Sequence, residues 1–170
     1  MRAADCFRQD LSEPRCSDMA ENINFHFDVD GENFSSAGEA SIEVKKRLRQ
    51  LGFSPDIIRR VSIAMYEGEI NMVIHANGGI ADVSVTPDEI IIVLEDHGPG
   101  IPDELKEHVF EMFFTGSNLI GDSRRSLGLG LTLCQTIIYA HHGELTLKDN
   151  TPHGCIFSFT IPLSEVNLNE

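Results

Sequence analysis

The sequence predicts an α+β fold: a two-layer α/β sandwich whose mixed, mainly antiparallel sheet is covered on one face by three main helices. Three observations carry this expectation. Residues 23–30, 80–96, 144–149 and 155–162 alternate apolar and polar side chains, the period of half-buried strands. Three longer segments carry apolar residues at helical spacing and are bracketed by capping residues. Every strand has one apolar and one mixed or polar face, so one layer of helices closes the core.

In chain order, INFHFDVD (23–30) sets Ile23, Phe25, Phe27 and Val29 against Asn24, His26 and Asp28. DVDGEN follows as a turn, because Gly31 comes too early for a calcium-loop spacing. SSAGEASIEVKKRLRQLG reads as a helix with Ser35 or Ser36 as N-cap and Gly52 as C-cap. A second helix starts at Ser54 as cap with Pro55 in its first turn, and Gly78–Gly79 stop it. IADVSVTPDEIIIVLED (80–96) is a hairpin around TPDE, with Val83 and Val85 on one face and Ile90, Ile92 and Leu94 on one face. PDELKEHVFEMFF begins as a helix, and TGSNLIGDSRRS (115–126) reads as a polar loop. LGLGLTLCQTIIYAHHG is the third long helix, ending at Gly143. ELTLKD and CIFSFTIP, joined by NTPHG, form the last hairpin, with Phe157, Phe159 and Ile161 sharing a face. Residues 1–20 and 166–170 are read as tails around one domain at 21–165.

At 170 residues the chain is long enough to bury roughly 70% of its unfolded surface. Its formal net charge of −14 argues against nucleic acid or an anionic membrane as partner. The basic clusters KKRLRQ (45–50) and Arg59–Arg60 read as solvated helix faces, whereas Arg124–Arg125 falls in the loop. Cys6, Cys16, Cys134 and Cys155 show no metal-ligand spacing, and the last two read as buried thiols. No apolar run is long enough to span a membrane, which makes the cytoplasm the default location.

Three stretches carry chemistry. In MYEGEINMVIHAN (65–77), Glu67, Asn71 and His75 recur every fourth residue and stack into one polar stripe. Gly68 sits among them although a mid-helix glycine costs ~1 kcal/mol against alanine. In EDHGPGIPD (95–103), strand alternation puts Asp96 on the face of Ile90, Ile92 and Leu94, where a carboxylate needs a partner. Gly98 and Gly100 allow close backbone approach to a ligand. In SLGLGLTL (126–133), Gly128 and Gly130 open a helix, whose free N–H groups and dipole suit an anion. No GxxxxGK[ST] loop and no GxGxxG after a strand is present.

Taken in this order and spacing, the region from about 23 to 162 resembles the GHKL family of ATPases and kinases, which includes histidine-kinase catalytic domains, anti-sigma-factor serine kinases and gyrase B. EGEIN is similar to the family's N box, DHGPG to its DxGxG box, MFFT to the aromatic segment before the lid, LGLGL to the second glycine box and GCIFSFTIP to the closing strand. The resemblance implies a Bergerat-type ATP-binding fold with ATP and Mg2+ as cofactors. It implies that Asn71 ligates the metal, that Glu67 orients or deprotonates the nucleophile, and that Asp96 accepts the adenine amino group. Gly98, Gly100, Ile101, Phe114, Gly128, Leu129, Gly130 and Leu131 are the matching cofactor-binding positions. Gly68, beside Ala64 on the helix wheel, is read as permitting close packing. Glu69 points away from the stripe and reads as a solvated charge. His75 reads equally as a structural or a site residue, and His141–His142 as structural at a helix end.

The same resemblance makes 115–126 the ATP lid. Thr115 stands where histidine kinases often place a basic residue, so Arg124 or Arg125 is the candidate for that charge, beside the reading of a solvated pair. The start of the domain looks like anti-sigma serine kinases, its end like histidine-kinase domains. Residues 1–20 are too short for a dimerising helix pair with a phosphoacceptor histidine, which implies a protein acceptor in trans: a response regulator, an anti-anti-sigma factor or a histidine-bearing protein. Ser117, Ser123 and Ser126 lie too close to the phosphates to serve as acceptors. The competing readings are an ATP-dependent binding module with little turnover and a dimer-coupled ATPase; a homodimer is a candidate assembly.

Overall fold

The structure, a computed structural model, describes residues 22–112, 114 and 129–163. Five strands, β1 (Ile23–Asp30), β2 (Gly78–Val85), β3 (Glu89–Glu95), β4 (Leu145–Asp149) and β5 (Cys155–Pro162), form one sheet in the order β1-β2-β3-β5-β4. Helices α1 (Glu39–Gln50), α2 (Pro55–Ala76) and α4 (Gly130–Ala140) cover one face, and α3 (Asp103–Lys106) is a single turn. The fold is the expected α+β sandwich, with one difference. All four strand pairings are antiparallel, so no parallel pair mixes the sheet among the described residues.

The period-two alternation sets the register. Val83 and Val85, Ile90, Ile92 and Leu94, and Phe157, Phe159 and Ile161 face the helices and are buried. They meet Ile58, Val61, Met65 and Met72 of α2, Val44 and Leu48 of α1, and Cys134 and Ile138 of α4. The other parity faces solvent. There His26 sits opposite Asp82 in the β1–β2 register, and its Nδ1 lies 2.7 Å from the Asp82 carboxylate.

Gly68 faces the Leu94 side chain, and a Cβ there would collide with it. The glycine therefore lets α2 lie close to β3, as its place beside Ala64 suggested.

The three long helices start in three different ways. The Ser54 hydroxyl accepts from Ile57 N at the head of α2, as expected. The head of α1 differs from expectation. Neither Ser35 nor Ser36 caps it; the N-cap is Gly38, in the left-handed region at φ +98 and without a side chain to offer. Glu69 caps it instead. This residue is not a solvated charge but only 2% exposed. Its carboxylate accepts from Gly38 N, Ala40 N and Ser41 N at 2.9, 3.2 and 3.0 Å. A buried carboxylate needs such donors, and a helix N-terminus has them to spare. At α4, no side chain among the described residues caps the first turn.

The basic clusters are less solvated than expected. The Arg47 guanidinium lies over the rings of Phe25 and Phe27, 4.8 and 5.2 Å from their centroids. Arg60 is paired with Asp56, and its Nε is buried without a partner. Cys134 and Cys155 are buried thiols, as expected.

Candidate functional site

Helix α2 is the spine of the site. Glu67, Asn71 and His75 follow one another up its surface, and two other segments close on this stripe from opposite ends. At the Glu67 end, α4 begins against the carboxylate: a Cβ added at Gly130 would fall 2.5 Å from Glu67 Oε2. At the far end the turn after β3 packs on the last turn of α2, where a Cβ at Gly98 would fall 2.6 Å from Ala76 Cβ. Nine residues separate Glu67 from Ala76, or about 14 Å of helix axis. The two junctions differ: at Gly98 the turn lies against the backbone of α2, whereas at Gly130 the near atom is the end of the flexible Glu67 side chain.

Asp96 follows β3 and is half-buried. Its Oδ1 accepts from Gly98 N at 2.8 Å and from Cys155 N at 3.2 Å. Its other oxygen has no partner among the described residues. The Asn71 carboxamide is likewise half-buried, reachable by solvent and without a hydrogen bond among the described residues. Burial holds the Glu67 carboxyl above the usual carboxylate range. Burial lowers the His75 imidazole. The thiol of Cys134, near Glu67, donates to Ala64 O and is pushed up to about 12, chiefly by burial and then by the Glu67 charge. It is not a nucleophile at neutral pH.

The remaining expected positions divide. Gly100 adopts φ +75, which its residue type permits. Ile101 is half-buried beside it. Phe114 stacks on His108 with ring centroids 6.3 Å apart. Leu129 precedes α4 and is partly exposed, and Leu131 is partly buried and packs against the hydrophobic core. Gly128 and the 115–126 segment, with Thr115, Arg124 and Arg125, lie outside the described residues. His141 closes α4, yet burial, then Arg60 and His142, lowers its pKa against the favour of the helix end.

An open cleft of about 680 Å3 lies beyond the C-terminal turn of α2, walled by His75, Ala76, Asn77, His97, Gly98 and His153 among others. Glu67, Asn71 and Asp96 are not part of its wall; it adjoins them through His75 and Gly98. His153 was missed by the sequence reading, as was Asn150. Both sit in the β4–β5 turn, whose nearness to Asp96 follows only from the β3–β5 pairing.

In this sandwich a polar helix stripe, an acidic glycine turn and a glycine-led helix converge on one side. A family model described as histidine kinase-, DNA gyrase B-, and HSP90-like ATPase matches residues 56–165, and the chain belongs to that family. Sensor protein KdpD of Clostridium acetobutylicum is 38% identical over 74 residues, which cover 44% of this chain and 8% of that protein. The adaptive-response sensory kinase SasA of Microcystis aeruginosa is 33% identical over 111 residues, 64% of this chain and 28% of that protein. The SasA of a Nostoc species is 30% identical over 132 residues, 76% of this chain and 32% of that protein. The chain therefore spans less than a third of the length of these relatives. The mycobacterial sensor histidine kinase MprB shares the fold at a TM-score of 0.51 and 22% identity, over 82% of this chain and 97% of that one. The chain is an ATPase domain of the histidine-kinase type, and its relatives are sensor kinases. Among the described residues no helix is long and apolar enough to cross a membrane.

Proposed function

We propose that this domain binds Mg-ATP along α2 and transfers the γ-phosphate to a histidine or serine of a separate partner protein in bacterial signalling. The observation that carries the reading is Asp96: one carboxylate oxygen is fixed by two backbone donors, and the other has no partner among the described residues. A carboxylate held so is preset to accept from an exocyclic amino group. The rest of the site fits the same ligand. Asn71 offers an unengaged amide oxygen, the hard donor that Mg2+ takes. The first N–H groups of α4 lack a side-chain cap and suit phosphate oxygens.

Bound Mg-ATP supplies the phosphoryl group and, through the metal, neutralises the charge that develops on transfer. Glu67 accepts the proton of the attacking group; its raised pKa brings it toward the working pH, where a general base is most effective. Asn71 would hold the metal from the middle of the stripe. Asp96 sets the base at the other end and so fixes the distance to Glu67.

An acceptor outside the domain is favoured by where the histidines lie. His26 is paired with Asp82, His108 with Glu111, and His153 with Gly98 O. His97 Nδ1 lies 3.2 Å from the Asn150 side-chain nitrogen, His75 walls the cleft, and His141 and His142 close α4. The test is incubation of the chain with radiolabelled ATP and Mg2+. Slow phosphate release without stable label on the chain is expected, and Glu67→Ala should abolish release while retaining ATP binding. Normal release by Glu67→Ala, or stoichiometric label on the wild-type chain, contradicts the proposal.

A further inference from the structure

We infer that Asn150, in the β4–β5 turn, is a positioning residue for Asp96 and thereby sets selectivity for the amino group of the base; the inference rests on the reading of Asp96 above. The Asn150 side-chain nitrogen donates to Asp96 O at 2.7 Å and Glu95 Oε1 at 3.1 Å, and lies 3.2 Å from His97 Nδ1. Its oxygen accepts from Thr151 N at 2.8 Å. The orientation of the amide is therefore fixed by its neighbours: a flipped group would set its oxygen against two other oxygens. One side chain thus grips three consecutive residues centred on Asp96.

The backbone around it completes a clamp. Asp96 N donates to Cys155 O at 2.9 Å, Asn150 N donates to Gly154 O at 3.0 Å, and Cys155 N reaches the Asp96 carboxylate itself. Gly154, at φ +110, lies against Asp96 O with no room for a side chain. His153 Nδ1 lies 3.0 Å from Gly98 O, a contact that requires a hydrogen on that nitrogen. The two hydrogens of the Asn150 amide go to the shorter contacts, Asp96 O and Glu95 Oε1, and the 3.2 Å approach to His97 Nδ1 adds a third neighbour. The strand pairing alone would hold the sheet; it does not require an amide that bonds to residues 95, 96 and 97 together. What the amide adds is the rotation of the Asp96 peptide, and so the direction of the carboxylate oxygen that has no partner among the described residues.

The test compares wild type with Asn150→Ala, Asp96→Asn and the double variant, against ATP and purine riboside triphosphate, which lacks the amino group. Competition calorimetry reads the affinities. Asn150→Ala is expected to weaken ATP binding roughly tenfold, the worth of a lost charge-directed hydrogen bond. It should leave the amino-free nucleotide unchanged and have no further effect in the Asp96→Asn background. Asn150→Ser keeps an oxygen to cap Thr151 but is too short to reach Asp96, and it should behave as the alanine variant while retaining the melting temperature. Equal weakening of both nucleotides, additive losses in the double variant, or wild-type ATP affinity in Asn150→Ser overturns the role of Asn150 and leaves the Asp96 reading intact. Wild-type ATP affinity in Asp96→Asn alone overturns both.

Discussion

In the proposed function three side chains, Asn71, Glu67 and Asp96, divide the work, and each is set up by its environment rather than by its identity. Asn71 has no protein partner among the described residues, so its loss removes nothing from the fold but its ligand. Asn71→Ala should abolish the Mg2+-dependent part of ATP affinity and leave the melting temperature within a few degrees, read by titration with and without the metal. Glu67 is the reverse case, a group that costs stability where it stands. Burial raises its folded pKa, so the native state favours the protonated form. That preference stabilises the fold below the ordinary carboxylate pKa and is lost as pH rises through the raised value. Glu67→Gln should therefore be more stable than wild type at pH 7, by less than about 1 kcal/mol after solvent screening, and the advantage should vanish on acidification. Thermal melts across pH 4–7 check it, and an advantage that grows toward acid would contradict the burial argument. The stripe and the parity of Asp96 were legible in the sequence because periodicity alone places them. Glu69 was not, although it falls four residues after the buried Met65 and three before the buried Met72. The polar stripe drew the reading to its neighbour Glu67, and a carboxylate on the core ridge looked less natural than one in water.

At the scale of elements, the site depends on how helices begin. Ser54 was legible as a cap because the donor and acceptor are three residues apart in sequence. The cap of α1 was not, since its acceptor comes from α2, about thirty residues later. Glu69 thus locks α1 to the helix that carries the site. Glu69→Ala leaves three amide donors without their carboxylate and is expected to destabilise the fold by about 3 kcal/mol, whereas Glu69→Gln, with one oxygen kept, should lose less. Denaturant titration gives both values, and a loss under about 0.5 kcal/mol for alanine would show that Gly38 and its neighbours find other acceptors. The open start of α4 is the counterpart: a first turn without a side-chain cap, set against Glu67. The β4–β5 turn was read only as a turn, because nothing local in NTPHG shows that it closes over residues 95–98.

For the whole molecule, the topology explains why segments so distant in sequence meet. Strand order β1-β2-β3-β5-β4 places β5 beside β3, which delivers the 150–155 turn to Asp96. The antiparallel sheet and its one helical layer were legible as alternation and spacing; the strand order was not, because several orders satisfy the same alternation. The matched stretches cover less than a third of each of these relatives, and the acceptor and the partner belong to the proposal above. The central claim is that Asp96 reads the nucleotide. Its most direct test is calorimetric titration of wild type and Asp96→Asn with a non-hydrolysable ATP analogue in Mg2+. The account expects clear binding by wild type and a loss of at least roughly tenfold in the variant, for removal of one charge-assisted hydrogen bond, at nearly unchanged melting temperature. Equal affinity in the two proteins would contradict it.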